Sequence, residues 1–166
     1  LRSRGLGDVY KRQEEAEDYV PFGCGEYVIN HKSFGSPNGV INLLKVLEIT
    51  LHNGMDGMTG KEAGIRTGYF SEFKSFDELW EAYTKQVQYF IDALAVQEEL
   101  EYRVMGETAP CLYLSMLYDD CIERGKAIFA GGIKYLGGTV ETYGNVNTAD
   151  SLTAIKETVY DKKLLT

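Results

Sequence analysis

Cysteine, histidine, proline and positive charge are all scarce in this 166-residue chain, and each shortage closes off a class of answer. Cys24, Cys111 and Cys121 match no zinc or redox spacing, and His31 and His52 are the only histidines, so no metal site is expected. Each cysteine reads first as a small buried hydrophobe in a reducing cytoplasm. Lys and Arg number 17 against 25 Asp and Glu, a formal charge of −8, which leaves no basic stripe to displace phosphate counterions and argues against nucleic-acid binding. No apolar run reaches the ~20 residues that a membrane crossing needs, because Lys45 and Glu48 interrupt the longest, Val40 to Leu51. What is present, 44% hydrophobic and 25% charged residues, is the composition of a globular domain with a sizeable core.

The charge is uneven. Residues 1–13 carry Arg2, Arg4, Lys11 and Arg12 against Asp8 alone, a net of +3, which leaves −11 on residues 14–166. No apolar stretch or small-residue cleavage site follows, as a secretory signal would require. The segment through Asp8-Val9-Tyr10-Lys11-Arg12-Gln13 resembles translated adapter sequence and is set aside as a non-native leader. Residues 14–166 are read as the domain. Lys162-Lys163-Leu164-Leu165-Thr166 closes a helical pattern abruptly, as expected of a piece of a longer protein.

Glycine and proline divide the rest. Asp18 to Phe22 reads as an extended run entering Gly23-Cys24-Gly25-Glu26, where flanking glycines let the backbone turn sharply in a finger-like loop. Ser36-Pro37 offers a cap and a first helical position for a largely buried helix through Val40, Leu43, Leu44, Leu47 and Leu51, ending at Gly54. Five glycines in residues 54–74 predict a long irregular connection. Ser75-Phe76-Asp77-Glu78 is a capping box. From there Phe76, Leu79, Trp80, Tyr83, Val87, Phe90, Ile91 and Leu94 hold helical period, predicting a helix to about Arg103 with Phe76, Trp80, Tyr83 and Phe90 in the core. A further helix is expected between Cys111 and Gly125, strand and turn over 127–147, and a last helix capped by Thr148. Helix and strand alternate, so the fold class is α/β.

Several segments resemble glycyl radical enzymes, the pyruvate formate-lyase-like proteins, in the order found there. They are Gly23-Cys24-Gly25-Glu26, the helix ending Leu47-Glu48-Ile49-Thr50-Leu51-His52-Asn53-Gly54, Asp119 to Lys126, Gly131-Gly132, and Asn147 to Lys156. The resemblance implies part of a ten-stranded α/β barrel, with long helices packed outside and a cysteine at the tip of an internal finger loop. It implies that Cys24 is the thiyl radical site and Glu26, two residues on, the base for a neighbouring substrate hydroxyl. A sulfur radical can abstract hydrogen reversibly at close range in a dry pocket, and a carboxylate on the same tight loop supplies proximity. Both side chains are expected to face a common concavity.

His31, Asn38, Asp150 and Ser151 are candidate substrate contacts. Asp150 equally suits an acidic residue complementing a helix N-terminus, and His31 an exposed loop histidine. The resemblance further implies a small oxygenated substrate in an anaerobe's cytoplasm, a homodimeric full-length protein, and a partner activase. That activase is a radical S-adenosylmethionine enzyme with an iron–sulfur cluster, acting on a glycine outside this chain. No cofactor is expected on the chain itself.

Departures narrow the chemistry. Gly25 follows Cys24 where pyruvate formate-lyase carries a second cysteine. Pro37-Asn38 stands where diol and choline members carry an acidic residue. Arg103-Val104-Met105-Gly106 only imitates the glycyl radical motif. The favoured reading is a dehydratase, lyase or decarboxylase; a formate C-acetyltransferase and an inactive barrel fragment serving as a binding module stay open.

Overall fold

The computed structural model of the chain describes residues 17–23, 26–35, 38–137 and 139–165. In chain order the elements are β1 (Tyr19–Phe22), β2 (Glu26–Ile29), β3 (Asn38–Asn42), α1 (Leu43–Leu51), α2 (Phe76–Thr108), α3 (Leu112–Ser115), α4 (Asp119–Arg124), β4 (Thr139–Tyr143) and α5 (Asn145–Ile155). The last continues as a π-helical turn, Lys156–Asp161. The strands form two separate pairs, β1 with β2 and β3 with β4, so the described residues hold helices and two open ribbons of an α/β architecture. None of the described helices is long and apolar enough to cross a membrane.

The chain divides into two compact units, Leu1–Gly39 with Val96–Thr139, and Val40–Ala95 with Val140–Thr166. In the first, β1 and β2 pair antiparallel from Tyr19↔Ile29 to Phe22↔Glu26, with Tyr19 and Tyr27 stacked at 4.6 Å. The core is Cys121, Ile128, Phe129 and Ile133, against which Phe34, Tyr102 and Met105 pack. The helix expected from Cys111 to Gly125 is two short ones, α3 and α4, and Gly125 ends the second in the left-handed conformation (φ 60°). Cys121 is buried as expected, but Cys111 is exposed: it precedes α3 at φ 47° instead of packing inside a continuous helix. The stretch after Ala127 is a 3₁₀ turn, Ile128–Ala130, followed by a single parallel bridge, Ser33↔Tyr135, before β4. Gly106 lies inside α2, where a Cβ would stand 3.3 Å from the Phe129 carbonyl oxygen. Close backbone approach therefore accounts for a glycine at this position.

The second unit is built on Ile41, Val46, Leu47, Tyr83 and Leu152. The helix expected to start at Ser36-Pro37, a pair outside the described residues, starts at Leu43 instead. Val40 and Ile41 belong to β3, as β-branched residues favour, and Asn42 takes the cap by accepting a hydrogen bond from the Lys45 N–H at 3.1 Å. Gly54 closes the helix: its N–H donates to Ile49 O at 2.8 Å, its φ is 85°, and a Cβ there would meet Ile65 O at 2.6 Å. The irregular connection that follows is pinned by Asp56, which receives Lys45 Nζ at 2.6 Å, the Met58 N–H and the Thr59 hydroxyl.

At the start of α2 the Glu78 N–H donates to Ser75 Oγ, while the Glu78 carboxylate reaches the Lys74 N–H, one residue before the expected partner. Tyr83 is buried and Phe76 and Phe90 pack on the core, but Trp80 is 50% exposed, contrary to its core assignment, because it lies off the Leu79–Tyr83 stripe. α2 continues to Thr108, five residues past the expected end. α5 starts from Gly144, so Thr148 is an internal residue whose hydroxyl donates back to Gly144 O at 2.7 Å instead of capping the helix. In the π-helical turn the Lys162 N–H donates to Glu157 O, and Lys156–Asp161 and Glu157–Lys162 pair at 2.7 and 2.6 Å.

Candidate active site

The β1–β2 register leaves Gly23, Cys24 and Gly25 as the hairpin connection. Cys24 and Gly25 lie outside the described residues. Gly23 has φ 55°, a conformation that glycine adopts without strain. Glu26 is not a loop residue, as the sequence suggested, but the first residue of β2, paired with Phe22. Its carboxylate folds back against Gly23: a Cβ on Gly23 would stand 2.8 Å from both Glu26 carboxylate oxygens. With 9% of its surface exposed, Glu26 is held out of bulk water beside the residue that precedes Cys24.

The hairpin is anchored at both ends. At its base the Asn30 N–H donates to Asp18 O at 2.9 Å and Lys32 Nζ pairs with Asp18 at 3.1 Å. Ser33 Oγ accepts from the Ile29 N–H at 2.7 Å. Toward the turn, Phe22 packs on Phe34 (5.8 Å), and Phe34 on Phe129 (5.9 Å), tying the strand end to the core of this unit. A Cβ on Gly35 would collide with the Phe22 ring at 2.6 Å, so this glycine clears the space that the ring needs.

The other sequence-derived candidates are divided between the two units. His31 sits at φ 60° with its side chain 56% exposed; its Nδ1 lies 3.1 Å from Leu117 O and 3.9 Å from Asp119. Its ring is thus engaged with the entry to α4, and the Asp119 N–H donates to the His31 carbonyl at 3.3 Å. Asn38 opens β3. Asp150 and Ser151 belong to the second unit. Asp150 is the sixth residue of α5 and exposed, so it lies beyond the first turn, where a carboxylate would complement the helix dipole. Ser151 borders a groove of about 700 Å³ with Leu44, Leu47, Leu51, Met58 and Ile155. Among the described residues no three His, Cys, Asp or Glu side chains are placed to hold a metal ion.

Sequence reasoning passed over Glu98 and Tyr102 on α2, two groups whose polar atoms are buried without a hydrogen-bond partner. A signal was available: Leu94, Glu98, Tyr102 and Met105 share the spacing of an apolar stripe, which places Glu98 where a hydrophobic residue would be expected.

A family model described as pyruvate formate lyase-like matches residues 2–166. The chain belongs to the pyruvate formate lyase-like family. Among family members, trans-4-hydroxy-L-proline dehydratase of Clostridioides difficile is 39% identical over 158 residues, 95% of this chain and 20% of that protein. Its crystal structure, with trans-4-hydroxy-L-proline bound, matches with a TM-score of 0.89 at 37% identity over 96% of this chain and 20% of that one. The glycerol-bound B12-independent glycerol dehydratase of Clostridium butyricum matches with a TM-score of 0.86 at 35% identity, over all of this chain and 20% of that one. Indoleacetate decarboxylase of Tractidigestivibacter scatoligenes is 25% identical over 166 residues, 89% of this chain and 17% of that protein. The chain spans about a fifth of the length of these relatives.

Proposed function

We propose that residues 14–166 form the thiyl-loop portion of a glycyl radical dehydratase or related lyase, one part of a ten-stranded α/β barrel, with residues 1–13 a non-native leader. The observation that carries this reading is the placement of the Glu26 carboxylate against Gly23, the residue that precedes Cys24 in sequence. The family relatives support it: they include dehydratases, a sulfite-lyase and a decarboxylase.

In this reading the Cys24 thiyl takes a hydrogen atom from a substrate C–H bond, forming S–H and leaving a carbon-centred radical. Glu26 accepts the proton of the hydroxyl on that carbon and gives it up to the neighbouring leaving group, so that a departing hydroxyl leaves as water and the carboxylate ends the cycle ionised. The product radical then recovers the hydrogen atom from the Cys24 thiol, so electrons and protons balance over the cycle. Two residues apart in sequence, the sulfur and the carboxylate have little freedom to separate, and the burial of Glu26 keeps water from competing for the proton. His31, Asn38, Asp150 and Ser151 are the proposed substrate contacts. The radical is installed on a glycine elsewhere in the polypeptide by a radical S-adenosylmethionine activase, and the enzyme works on a small oxygenated metabolite as a cytoplasmic homodimer.

The test uses the full-length enzyme. Cys24→Ser should abolish turnover and leave the activase-dependent glycyl radical visible by electron paramagnetic resonance. Glu26→Gln should keep the radical and lose most of the rate, by the 10²–10⁴-fold typical of a missing general base. Retained turnover in Cys24→Ser overturns the assignment.

A further inference from the structure

Glu26 shares one face of the β1–β2 hairpin with apolar neighbours. Phe22 stands directly opposite it in the register, Val20 stands opposite Val28, and residues two apart on a strand point to the same side. The chain returns to this face at Phe34 and Gly35. The Phe22 and Phe34 rings lie 5.8 Å apart, and a Cβ on Gly35 would stand 2.6 Å from Phe22 Cδ1 and 3.2 Å from Val28 Cγ2. Gly35 therefore lies against both side chains that neighbour Glu26 on its own face, the one across from it and the one two residues along.

Of the two surfaces that meet here, the returning segment is the more firmly held. The Lys32 carbonyl accepts the Tyr135 N–H at 2.9 Å, and Ser33, 7% exposed, forms a parallel bridge with Tyr135. The Phe34 ring is wedged between Tyr118 at 6.0 Å and Phe129 at 5.9 Å. Phe22 is 39% exposed, and its pair with Glu26 is the last rung of the ladder. A side chain at position 35 would thus move the Phe22–Glu26 rung and leave the backbone of 33–35 in place. Ordinary carbon contact is about 3.5–4 Å, so the Phe22 ring would have to retreat by about 1 Å.

We propose that Gly35 is a positioning residue for Glu26: the space left by its missing side chain sets where the Phe22–Glu26 rung stands, and so where the carboxylate meets the substrate hydroxyl. The inference rests on the reading of Glu26 as the base. Gly35 touches no reacting atom and acts through Phe22.

The experiment uses the full-length enzyme. Gly35→Ala should lower kcat about tenfold or more, since a misplacement of about 1 Å can cost 10²-fold, with KM within about twofold of wild type and the glycyl radical signal intact. In a Glu26→Gln background the same substitution should lower kcat by less than about twofold, because the group that it misplaces is already gone. Phe22→Ala introduces no new atom and removes a half-exposed ring, so it decides the matter where Gly35→Ala does not fold; it too should lower kcat, and lose that effect in the Glu26→Gln background. Wild-type kcat in Gly35→Ala, or in Phe22→Ala where Gly35→Ala does not fold, overturns the inference. An equal fold-loss with and without the Glu26 carboxylate overturns it as well. Retained turnover in Cys24→Ser strikes the underlying catalytic reading, so the two failures are told apart.

Discussion

Replacing Gly23 by alanine separates the cost of backbone strain from the cost of moving Glu26. Gly23 has φ 55°, where an L-residue is strained by about 1–2 kcal/mol. Its new Cβ would stand 2.8 Å from both Glu26 oxygens, which must retreat by roughly half an ångström to reach ordinary contact distance. A carboxylate at the end of a flexible side chain yields cheaply, so stability should fall by little more than the backbone strain. Catalysis should suffer more, since a misplacement of about 1 Å can cost 10²-fold. Gly125 provides the control: its φ is 60°, and a Cβ there would meet nothing within 4 Å. In the full-length enzyme both Gly→Ala variants should unfold with similar losses, by calorimetry or denaturant titration. Only Gly23→Ala should lose turnover, about tenfold or more, with its radical signal intact. Equal activity in the two variants would refute a catalytic carboxylate held against Gly23.

Gly132→Ala should destabilise by several kcal/mol, well beyond Gly125→Ala, because its Cβ would stand 2.2 Å from Lys126 O and 2.8 Å from Cys121 Sγ, against backbone that cannot give way; chemical unfolding checks this. Leu79→Ala, at a site with no exposed surface, should cost about 2–5 kcal/mol in the same assay. In a Cys24→Ser background a thiol reagent should label Cys111 well before Cys121, since Cys121 is buried and burial pushes its thiol up, leaving less thiolate at neutral pH; mass spectrometry reads the order. Asp56 is held well below the usual carboxylate range by its hydrogen bonds from Lys45 and the Met58 N–H. Its contribution should be fully present above the unfolded value of about 4 and fade as pH falls below it, seen as faster amide exchange in residues 55–64; Asp56→Asn should abolish that acid dependence.

The reversal between β1 and β2 was legible because Gly23 takes the left-handed conformation of a tight turn without strain, and the polar start of α2 because Ser75 and Glu78 sit three apart. The start of α1 was not. Two local signals competed, Ser36-Pro37 and Asn42, and partnership with β4, about a hundred residues away, drew Val40 and Ile41 into a strand. Distance in sequence hid the bond between Lys45 and Asp56, which only the reversal after Gly54 makes possible. Around the candidate site, the pairing of residue types Cys-x-Glu was readable, but the position of the Glu26 carboxylate depends on strand register and on the missing Cβ of Gly23. Glu98 escaped notice because a Glu among Glu99 and Glu101 reads as part of a wet face until its neighbours along the stripe are counted.

The π-helical turn after α5 makes this end of the chain sensitive to residue count in a way the other helices are not. Partners five apart, Lys156 with Asp161 and Glu157 with Lys162, would point about 140° away from each other on an α-helix. Deleting one residue between Lys156 and Asp161 would bring the pairs to four apart, the natural α spacing, and leave the residues after the turn facing nearly as they do, while shifting the side chains inside it. Tyr160, whose ring meets Phe76 edge-on at 6.2 Å, would be the casualty. The segment is therefore a one-residue insertion locked in by its own charges: local helix geometry would welcome the deletion, and only the aromatic contact across to α2 would register the loss.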